Sequence, residues 1–254
     1  MEGDPAAVSG EARYDGAFFR FLDAEALRSA RRVVPRVLEL VRPERVVDVG
    51  CGQGAWLSVF REHGIEEVLG VDGEWVDPAS LLIPRERFQH RDLRQPLELE
   101  ESFDLAVSLE VAEHLPPENA DGFVEALARL APVVLFSAAI PRQGGVGHLN
   151  EQWPDYWAER FARHGFMAAD VLRSELWEDR EVAWWYAQNT LLFVREELPG
   201  LHAAAPPRLV HPRHYLLKVE ELRNRSEPEH MSLRRLLAQL PRVAGHALRR
   251  RLKR

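Results

Sequence analysis

Val46-Val47-Asp48-Val49-Gly50-Cys51-Gly52-Gln53-Gly54 is the stretch that decides the fold. Val46 to Val49 has the near-continuous apolar character of a short strand buried on both faces. The three alternating glycines allow positive φ and let a ligand touch the backbone. A helix expected from Gly54 to His63, stopped by Gly64, would turn free N–H groups toward a carboxylate or phosphate. The spacing is not the dinucleotide G-x-G-x-x-G, because the extra residue is missing and Asp48 stands two before Gly50. Cys51 sits where close backbone approach demands a small residue, so its role reads as steric rather than nucleophilic.

Outward from this loop the chain alternates strands and helices. Strands are expected at Val68–Asp72, Phe88–Asp92, Phe103–Leu109 and Val133–Ala138, with a closing pair at Phe166–Leu172 and Thr190–Arg195. Helices are expected at Asn119–Leu130 and Trp153–His164, and before the loop at Tyr14–Val41, with Asp23 as a candidate cap and Pro43 as the stop. Such a rhythm implies a mostly parallel α/β sheet covered by helices on both faces. The expected organisation is a flexible arm at 1–13, a main domain at 14–198 and an extension at 199–254. Within the extension, His214–Leu222 reads as a short helix and Met231–Arg254 as a basic amphipathic one, kinked near Pro241 and Gly245.

The D-x-G-x-G-x-G loop resembles motif I of class I S-adenosylmethionine-dependent methyltransferases, and the resemblance extends over about Tyr14 to Arg195. It implies a Rossmann-like fold with a seven-stranded mostly parallel sheet, an N-terminal helical cap and a C-terminal helical extension. It also implies that S-adenosyl-L-methionine lies along Asp48, Gly50, Cys51, Gly52 and Gly54. Asp72, with Gly73, would take the ribose hydroxyls, and two adjacent hydroxyls suit a carboxylate acceptor. Asp92 and Leu93 would face the adenine, and Leu109 and Glu110 the methionine end. Tyr14, Phe18 and Phe19 would line the cap, or simply pack in the core.

Methyl transfer to an alcohol needs an oxygen held against the methyl and a route for its proton. Glu110-Val111-Ala112-Glu113-His114 follows the fourth strand. A helical turn there would put Glu110, Glu113 and His114 on one face. His148 follows the fifth strand, at the same sheet edge, and is expected to join them. The set resembles the Glu-x-x-Glu-His plus distant His of small-RNA 3′-terminal 2′-O-methyltransferases, which implies Mg²⁺ or Mn²⁺ on Glu110, Glu113, His114 and His148. It equally resembles metal-free members in which a histidine, here His114 or His148, is the base or a pocket wall. His148 to Trp153 and Ser137 to Pro141, with Trp184-Trp185-Tyr186 and Gln188-Asn189, resemble bacterial methyltransferases of sugar and natural-product biosynthesis. Those aromatics would stack on a sugar or planar acceptor, or pack against the helix layer.

Charge narrows the partners. The net charge is −7, yet residues 231–254 hold eight Lys or Arg and no Asp or Glu, leaving about −15 on the remainder. Such an acidic body argues against a nucleic-acid partner and for a small-molecule or glycan acceptor. The basic helix would dock on the body, form a homodimer or lie on an anionic membrane surface. One cysteine permits no internal disulfide, and the first residues lack a signal-peptide pattern, so a cytoplasmic protein is expected, and the Arg- and Ala-rich composition points to a bacterial one. The expected function is O-methylation of a hydroxyl on a sugar or natural-product-like small molecule. The alternatives are non-methylating chemistry on the same cofactor (cyclisation, hydrolysis or decarboxylation) and a non-catalytic cofactor-binding scaffold.

Overall fold

The computed structural model describes residues 16–195 and 205–226, together with 233, 234, 237, 238, 240, 241 and 244; the side chains of 16–23, 225 and 226 lie outside that description. The chain divides into two compact units, Met1–Leu209 and Val210–Arg254. The division expected at 198/199 and the arm at 1–13 lie outside the described residues.

The first unit is built on seven strands: β1 Arg45–Val49, β2 Glu67–Asp72, β3 Phe88–His90, β4 Leu105–Leu109, β5 Val133–Ser137, β6 Met167–Ala169 and β7 Leu191–Val194. They lie in the order β3-β2-β1-β4-β5-β7-β6. β1 is parallel to β2 and β4, with Val47 opposite both Leu69 and Ala106. Only β7 runs against its neighbours, pairing antiparallel with β5 and with β6. Every residue of β4 and β5 is buried, as a central parallel strand covered on both faces requires. The strands are shorter than expected at several ends. β3 stops at His90 and β4 begins at Leu105, because Asp92 and Phe103 bond in loops rather than to a neighbouring strand.

Helices α1 (Gly16–Val41) and α2 (Ala55–Glu62) cover one face, and α3 (Ala120–Leu130) and α4 (Pro154–Arg163) the other. Ala30, Val33, Val34 and Val37 form the stripe of α1 and pack with Trp56, Leu57 and Phe60 of α2, all of them buried. Each large side chain so buried contributes about 1.5–3 kcal/mol. Asp23 lies inside α1 and does not cap it, since the helix already runs from Gly16. The helix ends at Val41, where Arg42 turns to φ +51 ahead of Pro43. On the other face Phe161 of α4 stacks on Phe193 of β7, with centroids 4.0 Å apart.

Two short helices between β6 and β7 were not expected: α5 (Arg173–Leu176) and α6 (Trp184–Asn189). The buried Arg173 guanidinium holds them, bonding Asp170 and the carbonyls of Gln188 and Pro207. The second unit contains α7 (Pro212–Ser226), longer than the expected His214–Leu222. Pro212 explains part of the difference, because its fixed φ suits a first helical turn. Most of the basic helix expected at Met231–Arg254 lies outside the described residues; those described there are helical.

Candidate functional site

The chain crosses from β3 to β4, so β1 and β4 are neighbours and the loops after them open at the point where strand order reverses. Ligands of such sheets bind at that edge. After β1, Gly50, Gly52 and Gly54 have φ of +89°, +54° and +84°. At Gly50 a Cβ would lie 2.3 Å from Cγ2 of Val111, so this glycine lets the β1 and β4 loops touch. At Gly52 a Cβ would meet nothing within 4 Å, so that side of the loop is open. Cys51 is buried; its Sγ lies where a Cβ on Gly70 would be 2.8 Å away, and burial pushes its thiol pKa up. It packs against the backbone of β2.

Two acids stand beside the loop. Asp72 is buried at the end of β2; its Oδ2 accepts from Gly52 N at 2.7 Å and its Oδ1 from Gly73 N at 2.6 Å. Burial raises its pKa, against the pull of those two bonds. Asp48 is buried in β1 with Oδ2 unpartnered, and burial with the nearby Asp72 pushes its carboxyl well above the usual range. Asp92, expected at the adenine, is exposed and forked onto the Arg94 guanidinium at 2.9 Å, which lowers its pKa; Leu93 beside it is buried.

The facing side of the cleft is built from the loops after β4 and β5. No helical turn begins at Glu110, contrary to expectation. Glu110 takes φ +56° and only Ala112–His114 form a tight turn, so Glu110 and Glu113 do not share a helix face. The strained corner is held by bonds from Glu110 N to the Ser137 carbonyl and hydroxyl at 3.0 and 3.1 Å. The Glu110 carboxylate accepts Gln143 Nε2 at 2.9 Å and Asn189 Nδ2 at 3.0 Å. Gln188 completes this cluster by donating to Gln143 and Asn189 at 3.0 Å each. Burial raises the Glu110 pKa while these bonds lower it.

Glu113 is fully buried, and neither carboxylate oxygen has a hydrogen-bond partner. Burial and the neighbouring Glu110 hold its pKa well up. Its backbone carbonyl accepts Leu149 N and Asn150 N, which ties the β5 loop over it. That loop brings in His148, whose ring stands edge-on to His114 with centroids 4.8 Å apart. His148 Nδ1 lies 3.0 Å from Glu151 Oε1, and Glu151 also accepts Arg142 N and Gly144 N. Burial, then His148, lowers the His114 pKa, while a bond to the Gly147 backbone opposes them. Each imidazole therefore has one anchored nitrogen and one that can accept. Ligand atoms of Glu113, His114 and His148 all lie within 4.8 Å of one another. Of the four residues expected to gather, Glu110 neighbours Glu113 but is not in this cluster, and its oxygens accept from the two amides.

Tyr186, buried, packs edge-on against Trp56 at 5.1 Å and belongs to the core on the α2 face; Glu110 and Asp48 add to burial in raising its pKa. Tyr186 is thus packed in this structure, whereas the side chains of Phe18 and Phe19, and all of Tyr14, lie outside the described residues. Sequence reasoning missed Gln143, and Glu151 as the partner of His148.

A family model described as a methyltransferase domain matches residues 19–179. No curated protein matches the chain by sequence. Among solved structures, an amino pentose methyltransferase from Micromonospora echinaspora involved in calicheamicin biosynthesis, with S-adenosylmethionine bound, is 17% identical at TM-score 0.53, over 74% of this chain and all of that one. A sugar N-methyltransferase from a Streptoalloteichus species is 17% identical at TM-score 0.52, over 78% of this chain and 99% of that one. The magnesium protoporphyrin IX methyltransferase of Synechocystis, also with S-adenosylmethionine bound, is 20% identical at TM-score 0.50, over 76% of this chain and 88% of that one.

Proposed function

The chain belongs to the methyltransferase-domain family, and from that premise we propose that it moves a methyl group from S-adenosyl-L-methionine to a hydroxyl of a sugar or natural-product-like small molecule. One observation carries the reading. The open glycine loop with its buried acids touches, through Val111, the corner that presents Glu113, His114 and His148. The cofactor would lie along Gly50–Gly54 with its ribose at Asp72, and its methyl would point toward the histidines.

In the transfer the sulfonium C–S bond breaks as the acceptor C–O bond forms, and the hydroxyl proton passes to an imidazole. The products are the methyl ether and S-adenosylhomocysteine. The Glu151 contact favours a proton on His148 Nδ1, which leaves Nε2 to accept. The lowered pKa of His114 keeps that ring neutral at physiological pH, in the form a base needs. An alcohol needs this base more than an unprotonated amine does, which favours oxygen over nitrogen as the acceptor atom.

Turnover of matched acceptors tests the reading. Sugar nucleotides differing only in a hydroxyl or an amino group are offered with S-adenosylmethionine, and S-adenosylhomocysteine release is followed. Methylation of the hydroxyl member is expected, and His148→Ala should lower kcat about 10²- to 10⁴-fold. Turnover of the amino member alone would overturn the oxygen assignment, and unchanged kcat in His148→Ala would remove the base.

A second reading rests on Glu113, whose carboxylate, without a hydrogen-bond partner, brings an oxygen within 4.8 Å of a nitrogen of each imidazole. That donor set fits Mn²⁺ or Mg²⁺ with positions left for substrate oxygens. A cation there would be held by Glu113, His114 and His148, and would supply a Lewis acid that lowers the hydroxyl pKa. Mn²⁺ binding followed by paramagnetic resonance should then be lost in Glu113→Gln; no binding by the unaltered chain would discard this reading.

A further inference from the structure

The loop that carries His148 is tied at its ends, where Gln152 N donates to the Ala139 carbonyl at 3.0 Å. Inside it the backbone turns to positive φ at Arg142 (+70°), Gly144 (+80°), Gly145 (+145°) and Gly147 (+76°). One side chain holds these turns together. Glu151 Oε2 accepts Arg142 N at 2.7 Å, and Oε1 accepts Gly144 N at 2.8 Å while lying 3.0 Å from His148 Nδ1. The carboxylate that shapes the loop is thus the one that holds the imidazole.

The other end of the ring meets Gly145. A Cβ there would lie 2.2 Å from His148 Nε2, 2.4 Å from Cε1 and 2.9 Å from Cδ2. A methyl at those distances and the ring cannot share the space. The φ of +145° is also one that L side chains rarely adopt. Glycine at this position therefore permits the turn and leaves the Nε2 end of the imidazole uncovered.

We propose that Gly145 and Glu151 are the positioning residues of His148: Glu151 clasps Nδ1 with its proton, and Gly145 keeps the Nε2 end clear, so the ring is set before an acceptor arrives. The inference rests on the reading of His148 as the proton acceptor, and it adds the two residues that aim it. Neither touches the reacting atoms. A free neutral imidazole exchanges between two tautomers, and only one of them presents a bare Nε2. A carboxylate at Nδ1 selects that one. The loop cannot relax away from the ring without giving up the same carboxylate.

The test uses the full chain labelled with ¹⁵N-histidine, at about pH 9, well above the ordinary imidazole pKa of about 6.5. Among the ten histidines, His148→Ala assigns the signals of interest. In the unaltered chain His148 should carry its proton on Nδ1 and none on Nε2. Glu151→Leu, which has no acceptor, should populate the Nε2-protonated form. It should also lower kcat with the hydroxyl-bearing sugar nucleotide about ten- to hundredfold. Glu151→Gln, whose amide oxygen can still accept from Nδ1, should keep the original form and most of kcat. Gly145→Ala should lower kcat by a similar factor. A proton on Nε2 in the unaltered chain overturns the proposal before any variant is made. An undiminished Nδ1-protonated form in Glu151→Leu, or full kcat in a folded Gly145→Ala, overturns it as well. Unchanged kcat in His148→Ala instead removes the base, a failure that the nitrogen signals tell apart from a failure of the clasp.

Discussion

Four carboxylates, Asp48, Asp72, Glu110 and Glu113, converge on one sheet edge, Glu110 half-buried and the other three buried. Only Asp48 combines complete burial with an unpartnered oxygen and a place inside a strand. Its raised pKa means that the folded chain holds this proton more tightly than the unfolded one. The stabilising contribution is therefore full below the ordinary aspartate pKa of about 3.9 and is lost as pH rises through the higher folded value. Asp48→Asn should stabilise the ligand-free chain by about 1–3 kcal/mol at pH 7 in urea unfolding, because it removes a carboxyl that the unfolded chain ionises freely and the fold resists ionising. The gain should vanish toward pH 3.5; a destabilised Asp48→Asn at pH 7 would mean that the carboxylate has a partner. At this scale the sequence was informative where chemistry follows local spacing, as with Asp48, Asp72 and the glycines. It was silent on the residues that hold Glu110, because Gln143 and Asn189 lie 33 and 79 positions away and meet it only once β5 and β7 are paired.

The site is a property of loops pinned by strands. The alternation of apolar runs made the seven strands legible, with their ends placed to within three residues, since a ladder stops where its neighbour stops and not where the apolar run does. The path after β4 was not legible, because a glutamate at φ +56° is sterically disfavoured and its backbone is held there by Ser137 of β5. The steric lock between Gly50 and Val111 joins the two halves of the cleft. Gly50→Ala should cost about 1–3 kcal/mol, from positive φ and from collision with Val111. Val111→Ala in the same chain should return part of that loss, the collision part, in a double-mutant cycle read by urea denaturation. Strict additivity would show that the loops do not meet at this point.

For the whole molecule, the described site residues all lie in the unit Met1–Leu209. A chain ended after Leu209 should therefore melt cooperatively and keep its affinity for S-adenosylhomocysteine within about twofold, a difference worth about 0.4 kcal/mol. A larger loss would assign the second unit a part in the cofactor site. No helix among the described residues is long and apolar enough to cross a membrane. Contact of the basic 231–254 segment with an anionic surface stays a proposal, to be read as liposome binding that the shortened chain loses. The central claim is that the glycine loop holds S-adenosylmethionine, and titration calorimetry with S-adenosylhomocysteine tests it most directly when run on the chain and on Gly52→Val. A valine there would fill the open side of the loop and must adopt a disfavoured φ of +54°. One binding site in the unaltered chain, weakened about tenfold or more in a folded Gly52→Val by loss of about 1.4 kcal/mol, is the predicted result; equal affinity in both, or no binding in either, would contradict it.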